Sequence, residues 1–344
     1  MKKYNVAVVG ATGAVGEELF KVLEILNFPI NKLVPLASTR SAGKYIEFAN
    51  QEIQVKELTH DVFMEENVEI AFFSAGGDIS AKFAKSAVSA GAVVVDNTSH
   101  FRMDENVPLV VPEVNPEDIA GYEDSGIIAN PNCSTIQMVQ ALKPLDDLYG
   151  IKRVDVSTYQ AVSGAGKAGM EELVTQMKDF FEFKLDSSKI ETFAHQIALN
   201  LIPQIDVAQD NGFTKEEMKM VQETQKILHK DIAVAATCVR VPILRSHSES
   251  ITVTFEDGVE ADIDAVRNAF ENFENLVVID DLEANEYPMP TIATDTDMTY
   301  VGRIRRDIYS PNVIHFFNVA DQVRVGAATN SVRIALKWIE QQNA

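Results

Sequence analysis

A chain of 344 residues is long enough for two domains of roughly 150 residues each, and its 46% apolar and 24% charged content is that of a globular protein, which excludes disordered and fibrous classes. Its 30 basic and 51 acidic residues leave a formal charge of −21, which argues against a nucleic-acid partner and against adhesion to an anionic membrane. Two cysteines, Cys133 and Cys238, cannot build a disulfide scaffold, and no run approaches the ~20 apolar residues of a membrane span, so a reducing cytoplasm is expected.

Met1-Lys2-Lys3 before an apolar run imitates a signal peptide, but Gly10, Thr12, Gly13, Gly16 and Glu17-Glu18 interrupt it, and it reads as a first strand. Val6 to Val9 is a continuous run of the kind buried in a parallel sheet. Val15, Leu19, Val22 and Leu26 follow at helical spacing. Further apolar runs are Leu33–Ala37, Ile70–Phe73, Ala92–Val95, Leu109–Val111 and Ile127–Ala129, with a helical stretch over 79–89. Strands alternating with helices predict a Rossmann-type doubly wound parallel sheet. Past about residue 150 the pattern changes. A strand is expected over 154–159, helices over 168–183 and 214–228, and strands over 233–244 and 250–255. In the last of these Ile251, Val253 and Phe255 alternate with Thr252 and Thr254, as in a half-solvated antiparallel strand. The expected fold is α/β: a nucleotide-binding domain over 1–131, completed by a C-terminal helix in 326–344, and an α+β domain over 132–325.

Gly10, Gly13 and Gly16 lie between a predicted strand and a predicted helix, the context of a dinucleotide fingerprint. Such a turn lets backbone approach a pyrophosphate at a helix N-terminus, through Gly10, Thr12, Gly13, Ala14, Val15 and Gly16. After the second predicted strand, Ser38-Thr39-Arg40-Ser41-Ala42-Gly43-Lys44 contains no acid to read an NAD ribose. Arg40 and Ser41 there favour the 2′-phosphate of NADP.

Asn130-Pro131-Asn132-Cys133-Ser134-Thr135 joins an apolar run to a helix beginning near Ser134. A cysteine at a helix N-terminus is stabilised as thiolate, a competent nucleophile. Cys238, in an Ala- and Val-rich run, reads as core. No His, Cys, Asp or Glu spacing matches a metal site. On their own, His247 reads as a surface-loop histidine, and Glu216, Glu217 and Lys219 as a solvated helix face.

The 10–16 and 38–44 loops, Asn130 to Thr135, the segment Arg240-Val-Pro-Ile-Leu-Arg-Ser-His247-Ser-Glu-Ser and the tail Asp321-Gln322-Val-Arg-Val-Gly326-Ala-Ala resemble the aspartate-semialdehyde dehydrogenase family across essentially the whole chain. Acetylglutamyl-phosphate reductases, a related family, typically carry Gly where Asn132 stands. The resemblance implies NADPH-dependent reduction of L-aspartyl 4-phosphate to aspartate 4-semialdehyde with release of phosphate. This is a step toward lysine (diaminopimelate), threonine and methionine. It implies that Cys133 forms an acyl thioester and that His247 is the acid/base. By the same resemblance Arg102 and Lys219 hold the phosphate, Arg240 the α-carboxylate and Glu216 the amino-acid head, Glu217 lying one register step away. Asn132 and Gln160 would position substrate. Ser163, Gly164 and Gln322 would approach the nicotinamide, and the second domain would form a homodimer. Reductases acting on acetylglutamyl phosphate or glyceraldehyde 3-phosphate are the nearest enzyme rivals. A non-catalytic NADP sensor is the rival of another class, and it would lack the nucleophile or base that this chain carries.

Overall fold

The computed structural model describes residues 2–343. The chain divides into two compact units, one comprising the residues up to Asn132 together with those from Gly326 onward, the other Cys133–Val325.

The first unit opens with β1 (Tyr4–Val9), α1 (Ala14–Ile25), β2 (Ile30–Ala37), a hairpin of β3 (Tyr45–Phe48) and β4 (Gln51–Gln54), and β5 (Lys56–Glu57). It continues with α2 (Val62–Glu65), β6 (Ile70–Phe73), α3 (Gly77–Ser89), β7 (Val93–Asp96) and β8 (Ile127–Ala129). Six strands form a parallel sheet in the order β5-β2-β1-β6-β7-β8, which is doubly wound about β1. The continuous apolar runs of β1, β6 and β7 are buried almost throughout, as a sheet covered on both faces requires. Leu109–Val111 is buried as its composition predicts, but it contributes only a bridge from Leu109 to Ala129. Pro108 and Pro112 bracket the run and supply no amide to a ladder.

The second unit begins with α4 (Cys133–Tyr149), β9 (Ile151–Gln160), α5 (Gly166–Phe181), α6 (Lys215–Leu228), β10 (Ala233–Arg240) and β11 (His247–Phe255). It ends with α7 (Ile263–Glu271), β12 (Leu276–Val278), α8 (Pro290–Ala293), β13 (Thr299–Arg306) and β14 (Val313–Ala320). Its sheet is mixed, in the order β10-β9-β11-β14-β13-β12. β9 and β10 run parallel, while β9–β11, β11–β14 and β13–β14 are antiparallel. The strand expected over 233–244 stops at Arg240, because Pro242 has no amide for the ladder. In β11 Ile251, Val253 and Phe255 are fully buried and the threonines between them half-exposed, as their alternation predicts.

The tail returns to the first unit. A π-helical stretch, Arg324–Thr329, runs into α9 (Asn330–Gln342). Val332, Ile334, Ala335 and Ile339 enter the core that contains Tyr4, Val6 and Leu19.

Candidate functional site

In the first unit the turn between β1 and α1 is built on glycine. Gly10 has φ +91°, a conformation that an L side chain rarely adopts, and a Cβ there would meet the Ser74 backbone at 3.0 Å. At Gly16 a Cβ would lie 2.2 Å from the Gly10 carbonyl oxygen, so only glycine lets α1 start this close to the turn. Amides of Gly10 and Ala11 donate to Leu36 O, and the amide of Gly13 to Gly10 O. No side chain caps α1, whose N-cap is Gly13. A helix start without a side-chain cap leaves first-turn N–H groups able to meet an anion.

Ser41 lies beside this turn, its Oγ 3.5 Å from Thr12 Oγ1, while Arg40 is exposed in the same loop. Glu57, on the neighbouring strand, accepts a hydrogen bond from Thr39. This acid is 17 residues past Arg40 and reaches the loop only through the pairing of β2 with β5.

Arg102 is buried and held by backbone oxygens. Its Nε donates to Asn130 O and its Nη2 to Asn97 O, both at 2.9 Å. Asn130 Oδ1 accepts from Asn330 of α9 at 2.7 Å, which ties the strand end before Asn132 to the tail helix.

In the second unit, Cys133 is the first residue of α4, as its position in the sequence predicts. His247 corrects the expectation of a surface loop: it is the first residue of β11 and 0% exposed. The Ala161 amide donates to its Nδ1 at 3.0 Å, so the neutral ring carries its proton on Nε2. Burial, reinforced by the charge of Arg240, holds the imidazole well below the usual histidine value.

Around this ring a chain of polar contacts runs to the start of α6. Gln160 Nε2 lies 3.5 Å from His247 Nε2 and donates to Glu216 Oε1 at 3.1 Å. Glu216 Oε2 accepts from Lys219 at 3.0 Å, and Lys219 also reaches Asp206 at 2.9 Å. Burial would depress Lys219, but the charges of Glu216 and Asp206 prevail and hold it above the usual lysine value. The solvated helix face expected here is thus corrected, since Glu216 and Glu217 are both buried. The two glutamates differ. Glu217 closes a capping box with Thr214, and its Oε1 accepts from the Cys238 amide at 3.0 Å. Glu216 instead faces Gln160 and Lys219. Cys238 is buried, and burial pushes its thiol far up, as suits core.

Arg240, at the end of β10, donates from Nη1 to Ala161 O at 2.6 Å. Among the described residues its buried Nε has no hydrogen-bond partner. Burial lowers its proton affinity, while Glu216 and the charge of Cys133 act to raise it. Gly164 packs against this group: a Cβ there would stand 2.7 Å from Arg240 Nη1 and 3.5 Å from the His247 ring. Ser163 and Gln322 are joined by a short hydrogen bond, and Gln322 Oε1 accepts from the Ser246 amide at 2.8 Å.

Arg240 also lines a cavity of about 320 Å³ with Phe193, His195, Gln204 and Asp206. The last four went unread in the sequence. The segment bearing them is brought alongside β10 by an antiparallel bridge between Ile202 and Arg240, a pairing across 38 residues with no local signal. Among the described residues no group of His, Cys, Asp and Glu is arranged to hold a metal ion. No described helix is long and apolar enough to cross a membrane.

Residues 5–122 match the model of the semialdehyde dehydrogenase NAD binding domain, and residues 142–325 that of the semialdehyde dehydrogenase dimerisation domain. A relative from Campylobacter jejuni, aspartate-semialdehyde dehydrogenase, is 61% identical over 342 residues, covering 99% of each chain. The crystal structure of aspartate semialdehyde dehydrogenase II from Vibrio cholerae, complexed with ASA, superposes with a TM-score of 0.95 at 47% identity over 99% of each chain. A Candida albicans aspartate semialdehyde dehydrogenase solved with NADP gives a TM-score of 0.75 at 26% identity over 99% of each chain. With a nicotinamide-cofactor domain and a dimerisation domain matched along nearly its whole length, the chain belongs to the aspartate-semialdehyde dehydrogenase family, an oxidoreductase family of amino-acid biosynthesis.

Proposed function

We propose that the chain reduces L-aspartyl 4-phosphate to L-aspartate 4-semialdehyde and phosphate, reversibly, through a thioester on Cys133. The observation that carries this reading is the cluster around His247. A cysteine opening a helix, a buried neutral imidazole, a buried arginine with a spare donor and a Glu–Lys pair meet within one unit. That set matches an amino-acid acyl phosphate end to end.

Arg240 offers Nε and its fork to the α-carboxylate, and Glu216 takes the ammonium group. Lys219 binds phosphate, kept charged by Asp206 and Glu216. Arg102 supplies a second phosphate cation, and Asn132 and Gln160 orient the acyl group. The Cys133 thiolate attacks the acyl carbon and expels phosphate, its negative charge favoured by the start of α4 and by Arg240. Bound NADPH supplies the hydride for the thioester. Amides at the start of α4 and the Nε2–H of His247 stabilise the resulting oxyanion, which collapses to aldehyde and returns the thiolate.

The glycine turn receives the pyrophosphate through Gly10, Thr12, Gly13, Ala14, Val15 and Gly16. Arg40 and Ser41 would hold the 2′-phosphate of NADP, and Ser163, Gly164 and Gln322 would contact the nicotinamide. Residues 1–131 with the helix in 326–344 bind the cofactor, and 132–325 bind substrate and dimerise. An apolar groove of about 590 Å³ lined by Tyr159, Val241, Ile243, Met289 and Phe317 supports a homodimer of the second unit. The two cysteines form no disulfide, which fits a cytoplasmic enzyme on the route to lysine (diaminopimelate), threonine and methionine.

The test is the reverse reaction. Protein, aspartate semialdehyde and NADP are mixed with and without inorganic phosphate, and nicotinamide reduction is followed. Phosphate-dependent reduction is expected. Reduction that ignores phosphate would mean hydrolytic aldehyde oxidation and would leave Arg102 and Lys219 without their task.

A further inference from the structure

Glu249 takes no part in this chemistry, yet it lies at the back of it. It follows His247 by two positions on β11 and so points to the same face. In register it stands between Thr158 of β9 and Asn318 of β14, and it is 0% exposed. Gln137 lies one turn past Cys133 on α4. Its Nε2 donates to Asn318 Oδ1 at 2.8 Å and to the His247 carbonyl at 3.4 Å, while Asn318 Nδ2 donates to Gln137 O at 3.0 Å. These contacts join the helix of the nucleophile to the strand of the histidine.

One part of this network is incomplete. Among the described residues, Gln137 Oε1 and both Glu249 carboxyl oxygens are buried without a hydrogen-bond partner. Carboxylate and amide oxygens are all acceptors, so an ionised Glu249 would place a charge in the core that the two amides meet only in part, and would leave Gln137 Oε1 without a donor. The groups facing it supply no countercharge. Asn318 of β14 and Gln137 of α4 are amides, and Cys238 of β10 is a thiol held protonated by burial and by the charge of Glu216. Burial raises Glu249 well above the usual carboxylate range, and the two amides offset this only in part.

We propose that Glu249 is a protonated positioning residue, whose carboxylic acid donates a hydrogen bond to Gln137 Oε1 and locks the first turns of the Cys133 helix to the His247 strand. The proposal rests on reading Cys133 as the nucleophile and His247 as the group whose Nε2–H stabilises the oxyanion. One proton satisfies the orphaned amide oxygen and removes the buried charge together. Glutamine at 249 keeps a donor of the same reach, whereas leucine keeps only the volume.

The full-length protein is tested in three ways. Infrared spectra with isotope-labelled glutamate at pH 7 should show a protonated-carboxyl band that disappears in Glu249→Gln. Alkylation of Cys133 by iodoacetamide, without substrate, is expected to change in pH profile in Glu249→Leu and to return to the wild-type profile in Glu249→Gln. In the reverse reaction Glu249→Leu and Gln137→Leu should each lose about 10- to 100-fold in kcat with KM for phosphate unchanged, as small misplacements of reacting groups do. The double variant should lose no more than either single one. An ionised Glu249 at pH 7, or a folded Glu249→Leu with wild-type alkylation and kcat, overturns the proposal. If Glu249→Leu does not fold, the wild-type infrared band decides alone. Neither the band nor the alkylation needs substrate, so absence of phosphate-dependent turnover would sink the functional reading without being mistaken for failure here.

Discussion

A single methyl group added at Gly164 tests whether Arg240 is the substrate anchor. Gly164 does not have a positive φ, so its backbone accepts alanine, and the cost falls on its neighbours. The new Cβ would stand 2.7 Å from Arg240 Nη1, about 0.7 Å inside ordinary contact. Arg240 is 7% exposed and its Nη1 already holds Ala161 O at 2.6 Å, so the guanidinium can move away only by stretching that bond. A hydrogen bond from a charged group contributes about 1.5–3 kcal/mol, and each 1.36 kcal/mol is tenfold. Gly164→Ala should therefore raise KM for aspartate semialdehyde about 10- to 100-fold. The His247 ring, 3.5 Å from the methyl, is at ordinary contact and should keep its place. The assay is steady-state reduction of NADP with each substrate varied in turn, beside a thermal melt that confirms folding. An unchanged KM for aspartate semialdehyde with a raised KM for NADP would refute the reasoning, and would mean that Gly164 serves the nicotinamide alone.

The adjacent glutamates of α6 should separate cleanly. Glu217→Ala removes a cap and should cost about 0.5–2 kcal/mol in denaturant unfolding with KM little changed, whereas Glu216→Ala should raise KM for aspartate semialdehyde and leave stability nearly intact. Equal effects would show that the two side chains share one role. Arg40→Glu should weaken NADPH more than NADH in direct binding titrations, and equal losses would remove Arg40 from the 2′-phosphate. His247 predicts an acid-side loss of stability. The folded protein keeps its ring neutral while the unfolded chain takes up a proton below about pH 6.5, so stability falls as pH drops from there toward the depressed folded value. The slope is at most about 1.4 kcal/mol per pH unit, measured as the difference between wild type and His247→Gln. A difference that does not vary between pH 6.5 and 5 would mean the folded ring accepts a proton as freely as the unfolded one.

The local pattern determined much of this protein. The strand–glycine turn–helix of residues 4–25 is legible because its parts are neighbours in sequence and each glycine answers a steric demand only a few residues away. Cys133 at the head of α4 is legible for the same reason, since helix starts carry local signals. What the sequence by itself could not determine was the environment of the polar residues proposed to do the chemistry. His247 looked like a loop histidine because Ser246, Ser248 and Ser250 surround it, and only burial of β11 between β9 and β14 makes it a core residue. Glu216 and Glu217 are told apart by their partners, Gln160 for the first and Thr214 and Cys238 for the second. His195, Gln204 and Asp206 came to the Arg240 cavity through a lone bridge. Apolar periodicity states that a face is buried, and a short motif states that a turn is tight. Which charge loses its water, and which partner replaces it, depends on chain segments tens of residues apart, and that only the tertiary structure decided.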